Sequence, residues 1–390
     1  MKFFHLSDLH IGKQLHRYNL KEDQQMILKE VIAYAKELRP DAIVIAGDIY
    51  DKSVPSAEAV TIFDEFLTEL SEITPAIPIL IISGNHDSPD RLNYASEILR
   101  RHHIYLVGNV PEQPEEHIEK VTLQDTYGEV DFYLLPFMKP GYVRNVFVNN
   151  VPETYADAVR EIIKREEIDY NNKRNVLVSH QFYVGEKEGS PETCDSEVFS
   201  VGGIDNVDIG AVKEFDYVAL GHLHGPQKIG KETVRYSGTP LKYSFSETNH
   251  KKAAVIVDVE EKGKINIQQI PFLPKHDMRE VRGTYMEVTA LDFYKDMNTD
   301  DYLHITLTDE EDIPDAIGKL RCIYPNIMKL SYDNLRTRAA VTVRGTAEVE
   351  EKSPMELLRE FYELQNNQPM TDEQEEIARG MMEEIWEDGR

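Results

Sequence analysis

Five short stretches of this chain carry side chains of the types that coordinate divalent cations. They are Asp8-Leu9-His10, Gly47-Asp48, Gly84-Asn85-His86-Asp87, His180 and Gly221-His222-Leu223-His224. Carboxylate and amide oxygens together with imidazole nitrogens suit Mn²⁺, Fe²⁺ or Zn²⁺, and no thiolate competes for a place. In the D-x-H and H-x-H spacings, alternate residues leaving a strand point to the same side, so both can reach one centre. Gly47, Gly84 and Gly221 each precede a candidate ligand, where a residue without Cβ permits a sharp turn and a close backbone approach. A lone Gly-Asp, or a lone histidine after a strand, is commonly a turn or a satisfied structural residue. His5, His16, His102, His103, His117, His250, His276 and His304 are read that way. The signal lies in the ordered combination.

The elements that must position these groups are legible in the same stretches. Each candidate follows a short, nearly continuous apolar run, at 3–6, 42–46, 79–83, 176–179 and 217–220. Runs rich in β-branched and aromatic residues read as strands buried on both faces. Between the early runs lie helical patterns. Residues 21–38 carry Met26, Ile27, Val31, Ile32, Tyr34 and Ala35 before Pro40, and residues 56–71 carry Val60, Phe63, Leu67 and Leu70. Strands alternating with helices predict an α/β layered fold, whose carboxyl strand ends form the crevice where ligands bind. All five candidate stretches would then meet at one rim.

Further along, 253–259 and 265–270 read as strands about a Lys262-Gly263 turn, and 271–274 looks like a boundary. Residues 281–346 predict a small α+β unit, with strands at 303–307, 327–332 and 339–343 and a helix over 313–320. The tail opens on a capping box, Ser353-Pro354-Met355-Glu356, and breaks at Asn366-Asn367-Gln368-Pro369. A second start at Thr371 leads to Ile377, Met381, Ile385 and Trp386, an apolar stripe on an acidic helix.

At 390 residues, 41% of them hydrophobic, the chain has material for two or three domains with a sizeable core. Two cysteines far apart, Cys194 and Cys322, fit a reducing cytosol and are expected to be buried, inert thiols. No run of about 18 apolar residues is found, so no membrane span is expected. No signal peptide is expected either, because Met1–Leu6 leads straight into Ser7-Asp8. The net charge of −27, about eight of it in the last forty residues, offers no basic footprint for nucleic acid. It counts against avid, stand-alone DNA binding, although bound cations would change the field locally.

Over about the first 225 residues, the ordered motifs resemble the calcineurin-like metallophosphoesterases. The resemblance implies an α/β layered metallophosphoesterase sandwich that holds two divalent metal ions, with Mn²⁺ the expected metal. One ion would take Asp8, His10 and His224, the other Asn85, His180 and His222, and Asp48 would bridge them. His86 would stabilise the transition state or protonate the leaving oxygen, with Asp87 orienting its ring. More narrowly, 2–12 (KFFHLSDLHIG), 47–55 (GDIYDKSVP), 83–88 (SGNHDS), 221–224 (GHLH) and Tyr236-Ser237-Gly238-Thr239-Pro240-Leu241 are similar to bacterial nuclease subunits that work with an SMC-like ATPase. Asp51 stands where some relatives have a histidine, so no catalytic role passes to it.

This narrower likeness implies a DNA substrate, cut 3′ to 5′ from double-strand ends and endonucleolytically at hairpins and single strands, in recombination, replication and repair. It also implies a cytoplasmic protein with an SMC-family ATPase partner, and a homodimer through helix 56–71 and the segment 90–101. The expected domains are a nuclease domain over 1–275, an α+β capping domain over 276–346 and a C-terminal helical docking segment over 347–390. Two rival readings share the motifs. A phosphomonoesterase or small-molecule phosphodiesterase would need neither tail helices nor a small domain. A non-catalytic scaffold would tolerate losses from the ligand set, and none are visible.

Overall fold

A computed structural model of the chain describes residues 1–147, 151–185, 191–197 and 205–338, and scattered positions between 355 and 381. Two units are distinguished, Met1–Asp277 and Met278–Arg390. The first is built on two six-stranded sheets. One runs in the order Ile265–Pro271, Ala253–Val259, Lys2–Leu6, Ala42–Ala46, Ile79–Ile82, Ile104–Val107. From Lys2–Leu6 to Ile104–Val107 its strands are parallel, and Ala253–Val259 and Ile265–Pro271 add antiparallel. The other runs Gln227–Ile229, Lys231–Tyr236, Tyr217–Gly221, Arg174–His180, Gly128–Leu135, Glu119–Asp125. Its four middle strands are parallel and both edge strands antiparallel.

The two-residue period of a strand decides what each face buries. Phe3, Val44, Ala46, Leu80 and Ile82 of the first sheet pack against Phe132, Leu134, Val176, Val178 and Ala219 of the second. The outer face of the second sheet sets Leu177, Val218 and Leu220 on Val159, Ile162 and Ile163 of the helix Tyr155–Lys164. The alternate residues of the first sheet, Phe4, Leu6, Ile43, Ile45, Ile79 and Ile81, are equally buried. They are matched by the apolar faces of Lys21–Leu38 (Ile27, Val31, Ile32) and Ala57–Ser71 (Ile62, Phe63, Phe66), the latter capped by Ser56. The result is the layered α/β architecture that the apolar runs predict, with helices outside and two sheets within.

The second unit carries a parallel sheet of Met278–Gly283, Tyr302–Leu307 and Ile327–Tyr332. Its core is Val281, Leu303, Ile305, Leu320, Tyr324 and Ile327. The helix expected over 313–320 forms only as Ala316–Leu320. Pro314 disfavours helical geometry at the residue before it, and Asp315 sits at φ 50°. Cys194 is a buried free thiol, but Cys322, just past that short helix, is exposed and so departs from the expected pair of buried thiols. The strand expected at 339–343, and Ile385 and Trp386 of the tail stripe, lie outside the described residues. Ile377 and Met381 of that stripe are exposed. Among the described residues no helix is long and apolar enough to cross a membrane.

Candidate metal centre

The loops that leave the strand ends are laced to one another through their backbones. Asp8 N donates to Gly47 O (2.9 Å) and His10 N to Asp48 O (3.0 Å), which ties the first loop to the second. His222 N donates to both oxygens of Asp8 (3.0 and 3.1 Å), which ties the last loop to the first. Asp8, His10, Asp48 and His222 all hold positive φ, at 52°, 44°, 50° and 108°. Such conformations cost about 1–3 kcal/mol each and persist only where the surroundings impose them. The glycines let the loops come this close. A Cβ on Gly84 would lie 2.2 Å from Asp48 Oδ1, and one on Gly221 would lie 1.9 Å from Ala46 O.

All seven residues expected as ligands arrive at this rim. Asp8, His10 and His224 bring donor atoms within 4.8 Å of one another, as do Asp8, Asp48 and His180. Asn85 Oδ1 lies 3.0 Å from His180 Nε2 and 2.9 Å from His222 Nδ1. His10 Nε2 lies 3.2 Å from His224 Nε2 and 3.7 Å from Asp48 Oδ2, which is itself 3.4 Å from His180 Nε2. Every one of these side chains except Asn85 is buried.

This donor set fits divalent cations. Burial, and less strongly the charge of Asp48, pushes Asp8 up to about 8, and a cation beside it would favour the carboxylate form. Burial also lowers His222 to about 3 and holds His10 and His224 below their ordinary value, which leaves these imidazoles in the neutral form that metals require. Burial works against the charged forms of Asp48 and His180 as well. Their mutual attraction outweighs it, holding Asp48 well below the usual carboxylate range and His180 up at about 9. The Nδ1–H of His180 donates to Ala46 O at 2.7 Å, so its Nε2 is the atom aimed at the cluster. His10 Nδ1 is buried without a hydrogen-bond partner among the described residues.

His86 stands at the edge of the cluster, its ring edge-on to that of His10 with centroids 4.8 Å apart. Its backbone N–H donates to Asp48 Oδ1 (2.8 Å) and its Nδ1–H to Asp51 O (2.9 Å). The Asp51 carbonyl therefore orients this ring, and Asp87, expected in that part, is engaged elsewhere. The Asp87 carboxylate accepts from the backbone of Ile49 (3.1 Å), Tyr50 (3.0 Å) and Gly84 (2.9 Å), which clamps the second loop to the third. The Asp51 side chain pairs with Lys13 at 2.8 Å.

Sequence reasoning missed the residues that hold His224. Its Nδ1 lies 2.7 Å from Ser196 Oγ, which donates to Glu247 Oε1 at 2.7 Å. Glu247 is fully buried, and its Oε2 accepts from Lys252 Nζ at 2.6 Å. Lys252 in turn donates to His224 O (2.8 Å) and Thr239 Oγ1 (2.7 Å). The only trace in the sequence is the stretch 236–241, which contains Thr239 and carries no chemistry of its own.

The chain belongs to the calcineurin-like phosphoesterases, whose family model matches residues 1–226. Within that class it falls among proteins named as the SbcD component of the nuclease SbcCD. The one from Staphylococcus epidermidis is 34% identical over 388 residues, covering 98% of each chain. The one from Staphylococcus saprophyticus is 30% identical over 390 residues, covering 100% of each. A second family model, described as Type 5 capsule protein repressor C-terminal domain, matches residues 274–366. Among solved structures, a dimetal phosphatase from Danio rerio aligns with a TM-score of 0.37 at 13% identity, over 70% of this chain and 99% of that one. The chain is thus a metal-dependent phosphodiesterase with a nuclease role.

Proposed function

We propose that the chain is the nuclease subunit of an SbcCD-type complex and hydrolyses DNA phosphodiester bonds with two Mn²⁺ ions. The observation that carries this reading is the convergence of seven candidate oxygen and nitrogen ligands from five strand ends at one rim. Asp8, His10 and His224 would hold one ion, Asn85, His180 and His222 the other, and Asp48 would contact both. When bound, the ions supply Lewis acidity that activates water and offsets charge on the phosphate. The chain's own groups do the rest. Ser196 and Ala46 O fix the rings of His224 and His180 so that each presents Nε2 to its ion. His86, steered through Nδ1 by Asp51 O, offers Nε2 to the phosphate or to the leaving oxygen as the proton source. Asp87 keeps the Gly47–Tyr50 and Gly84–Asp87 turns in register.

The substrates on this reading are DNA double-strand ends, degraded 3′ to 5′, and hairpins or single strands, cut internally, in recombination, replication and repair in the cytoplasm. A chain of net charge −27 has little grip on DNA by itself, and an SbcC-like SMC-family ATPase would supply it. The segment 347–390 is the docking element for that partner, supported by the exposure of Ile377 and Met381, and residues 276–346 form the capping domain. Two copies pair through the helix at 56–71 and the segment 90–101. Phe63 and Leu67 are buried there, but Val60, Tyr94 and Ile98 are exposed, by 45%, 84% and 62%. Val60 and Tyr94 line a largely apolar groove of about 530 Å³.

The test is to incubate the purified chain with Mn²⁺ and a hairpin-ended duplex beside an Asp48→Ala control. Cleavage confined to the unaltered chain is expected. Hydrolysis of a small phosphodiester without any cleavage of DNA, with the ATPase present, would overturn the DNA reading.

A further inference from the structure

Beside Asn85 and His222 the rim opens into a cleft of about 210 Å³, walled by Phe137, Tyr142, Tyr155 and Phe182. We propose that this cleft seats a single unstacked nucleobase of the strand being cut, next to the scissile phosphate; the inference rests on the nuclease reading above. Its size argues for one ring system, since it is smaller than the roughly 300–1,000 Å³ of pockets for drug-sized ligands. Its composition argues for a base and against a run of backbone. Among the described lining residues Lys139 is the lone cation, while Asp87 and Asp205 are acidic, so a phosphate tract would be repelled and a neutral heterocycle would not.

The aromatic side chains provide the face. Phe137 and Tyr155 have ring centroids 6.5 Å apart, and Tyr142 is 47% exposed beside them. Aromatic platforms of this kind hold bases of any identity, because every base has a π-face. The cleft also has an unmet polar group. Gln181 is fully buried, and its Nε2 donates to Met138 O at 3.2 Å while its Oε1 has no hydrogen-bond partner among the described residues. An acceptor left unpaired in a buried wall is costly, and the exocyclic amine or ring N–H of a base is the donor it lacks. Because the lining includes Asn85 and His222, a base seated here and a phosphate at the metal cluster belong to one nucleotide step. A base inside duplex stacking could not enter, so the cleft would favour frayed ends and single strands.

The experiment compares two single-stranded oligonucleotides that differ by one abasic site, with cleavage at every bond resolved on a sequencing gel in Mn²⁺. The expected result is a loss of about tenfold or more at one of the two bonds flanking the abasic site, relative to the same bond in the intact strand. Tyr142→Ala should cut that bond alike in both strands, and Tyr142→Phe should restore the discrimination. Equal cleavage of the flanking bonds by the unaltered chain would overturn the base seat and leave the nuclease reading standing. Absence of cleavage on any DNA, with the small phosphodiester still hydrolysed, would overturn both.

Discussion

Replacing Glu247 by alanine tests whether the network behind His224 is what holds that corner of the site. Lys252 is 7% exposed, and Glu247 is the carboxylate that compensates its charge, at 2.6 Å. Removing one partner of a buried ion pair costs about 3–5 kcal/mol, because the other charge is left unpaired. The chain has one escape, which is to release the Lys252 proton. Burial already lowers this lysine below its ordinary 10.5 with Glu247 present. Deprotonation from 10.5 at pH 7 costs about 5 kcal/mol, at 1.36 kcal/mol per unit, so the loss is capped near that figure.

The escape has a signature in pH. Once pH is high enough for that cap to fall below the cost of the unpaired charge, the folded lysine of the variant is neutral while the unfolded one still binds a proton below about 10.5, and the variant's stability rises by about 1.36 kcal/mol per pH unit. In the unaltered chain the lysine is charged in both states near neutrality and adds no such slope. The gap between the two proteins should therefore narrow from about 3–5 kcal/mol at pH 7 to about 2 kcal/mol at pH 9, where deprotonation caps it. Urea unfolding of both proteins across that range measures it. A gap that stays constant with pH, or one below about 1 kcal/mol at pH 7, would refute the reasoning. Adding Lys252→Met to the variant should recover much of the loss, since no unpaired charge remains.

Ser196→Ala removes the hydrogen bond to His224 Nδ1 without burying a charge, so Mn²⁺ affinity by titration calorimetry should fall about 10–100-fold while stability changes by roughly 1 kcal/mol. Unchanged affinity would show that Ser196 does not position the ring. His86→Ala should keep metal binding and lower the turnover of a DNA substrate by about 10²–10⁴-fold, and loss of metal would place His86 among the ligands instead. Burial alone would raise Asp125, but Arg174, bonded at 2.6 and 3.1 Å, outweighs it and holds the carboxyl below its ordinary 3.8. That contribution is complete above pH 3.8 and lost as pH falls through the lower folded value. Asp125→Asn should thus cost about 2 kcal/mol at neutral pH and progressively less in acid, as acid unfolding curves would show. Ile98→Asp, on an exposed helix, should leave the fold intact and convert a dimer to a monomer in sedimentation, whereas an unaltered mass would remove this face from the interface.

What could be read from the sequence follows from where burial is symmetric. Strands such as Ala42–Ala46 and Ile79–Ile82 are buried on both faces and read as unbroken apolar runs. Lys21–Leu38 and Ala57–Ser71 are long enough for their helical period to show. Glu119–Asp125 escaped notice because it is an edge strand with one largely polar face, and Ile104–Val107 because four residues, alternately buried and half-buried, make too short a run to show a period. The 253–259 run is legible as a strand, but not its place. It pairs antiparallel with Lys2–Leu6, some 250 residues away, and nothing local encodes that partner. The site divides the same way. Its candidate ligands sit at fixed offsets from strand ends, whereas Ser196 and Glu247 reach His224 from 28 and 23 positions away through a buried polar network. Polar residues destined for burial look like surface residues until the fold brings their partners.

The glycines mark the point where local sequence and site geometry meet. Gly47, Gly84 and Gly221 read as permissive turns, but in the fold each is needed because another loop occupies the space a Cβ would take. The contacts are reciprocal: Gly84 abuts Asp48, Gly47 abuts His180, and Gly221 abuts both Ala46 and His180. Each glycine therefore fixes a ligand on a different strand from its own. With Asp8, His10, Asp48 and His222 held at positive φ by backbone bonds between the same loops, the positions of the candidate ligands are set by the fold itself. A cation held by these residues would meet a frame whose conformational cost has been met by folding, which is the physical meaning of preorganisation at this site. It follows that the spacing of the glycines, as much as that of the acids and histidines, encodes the centre.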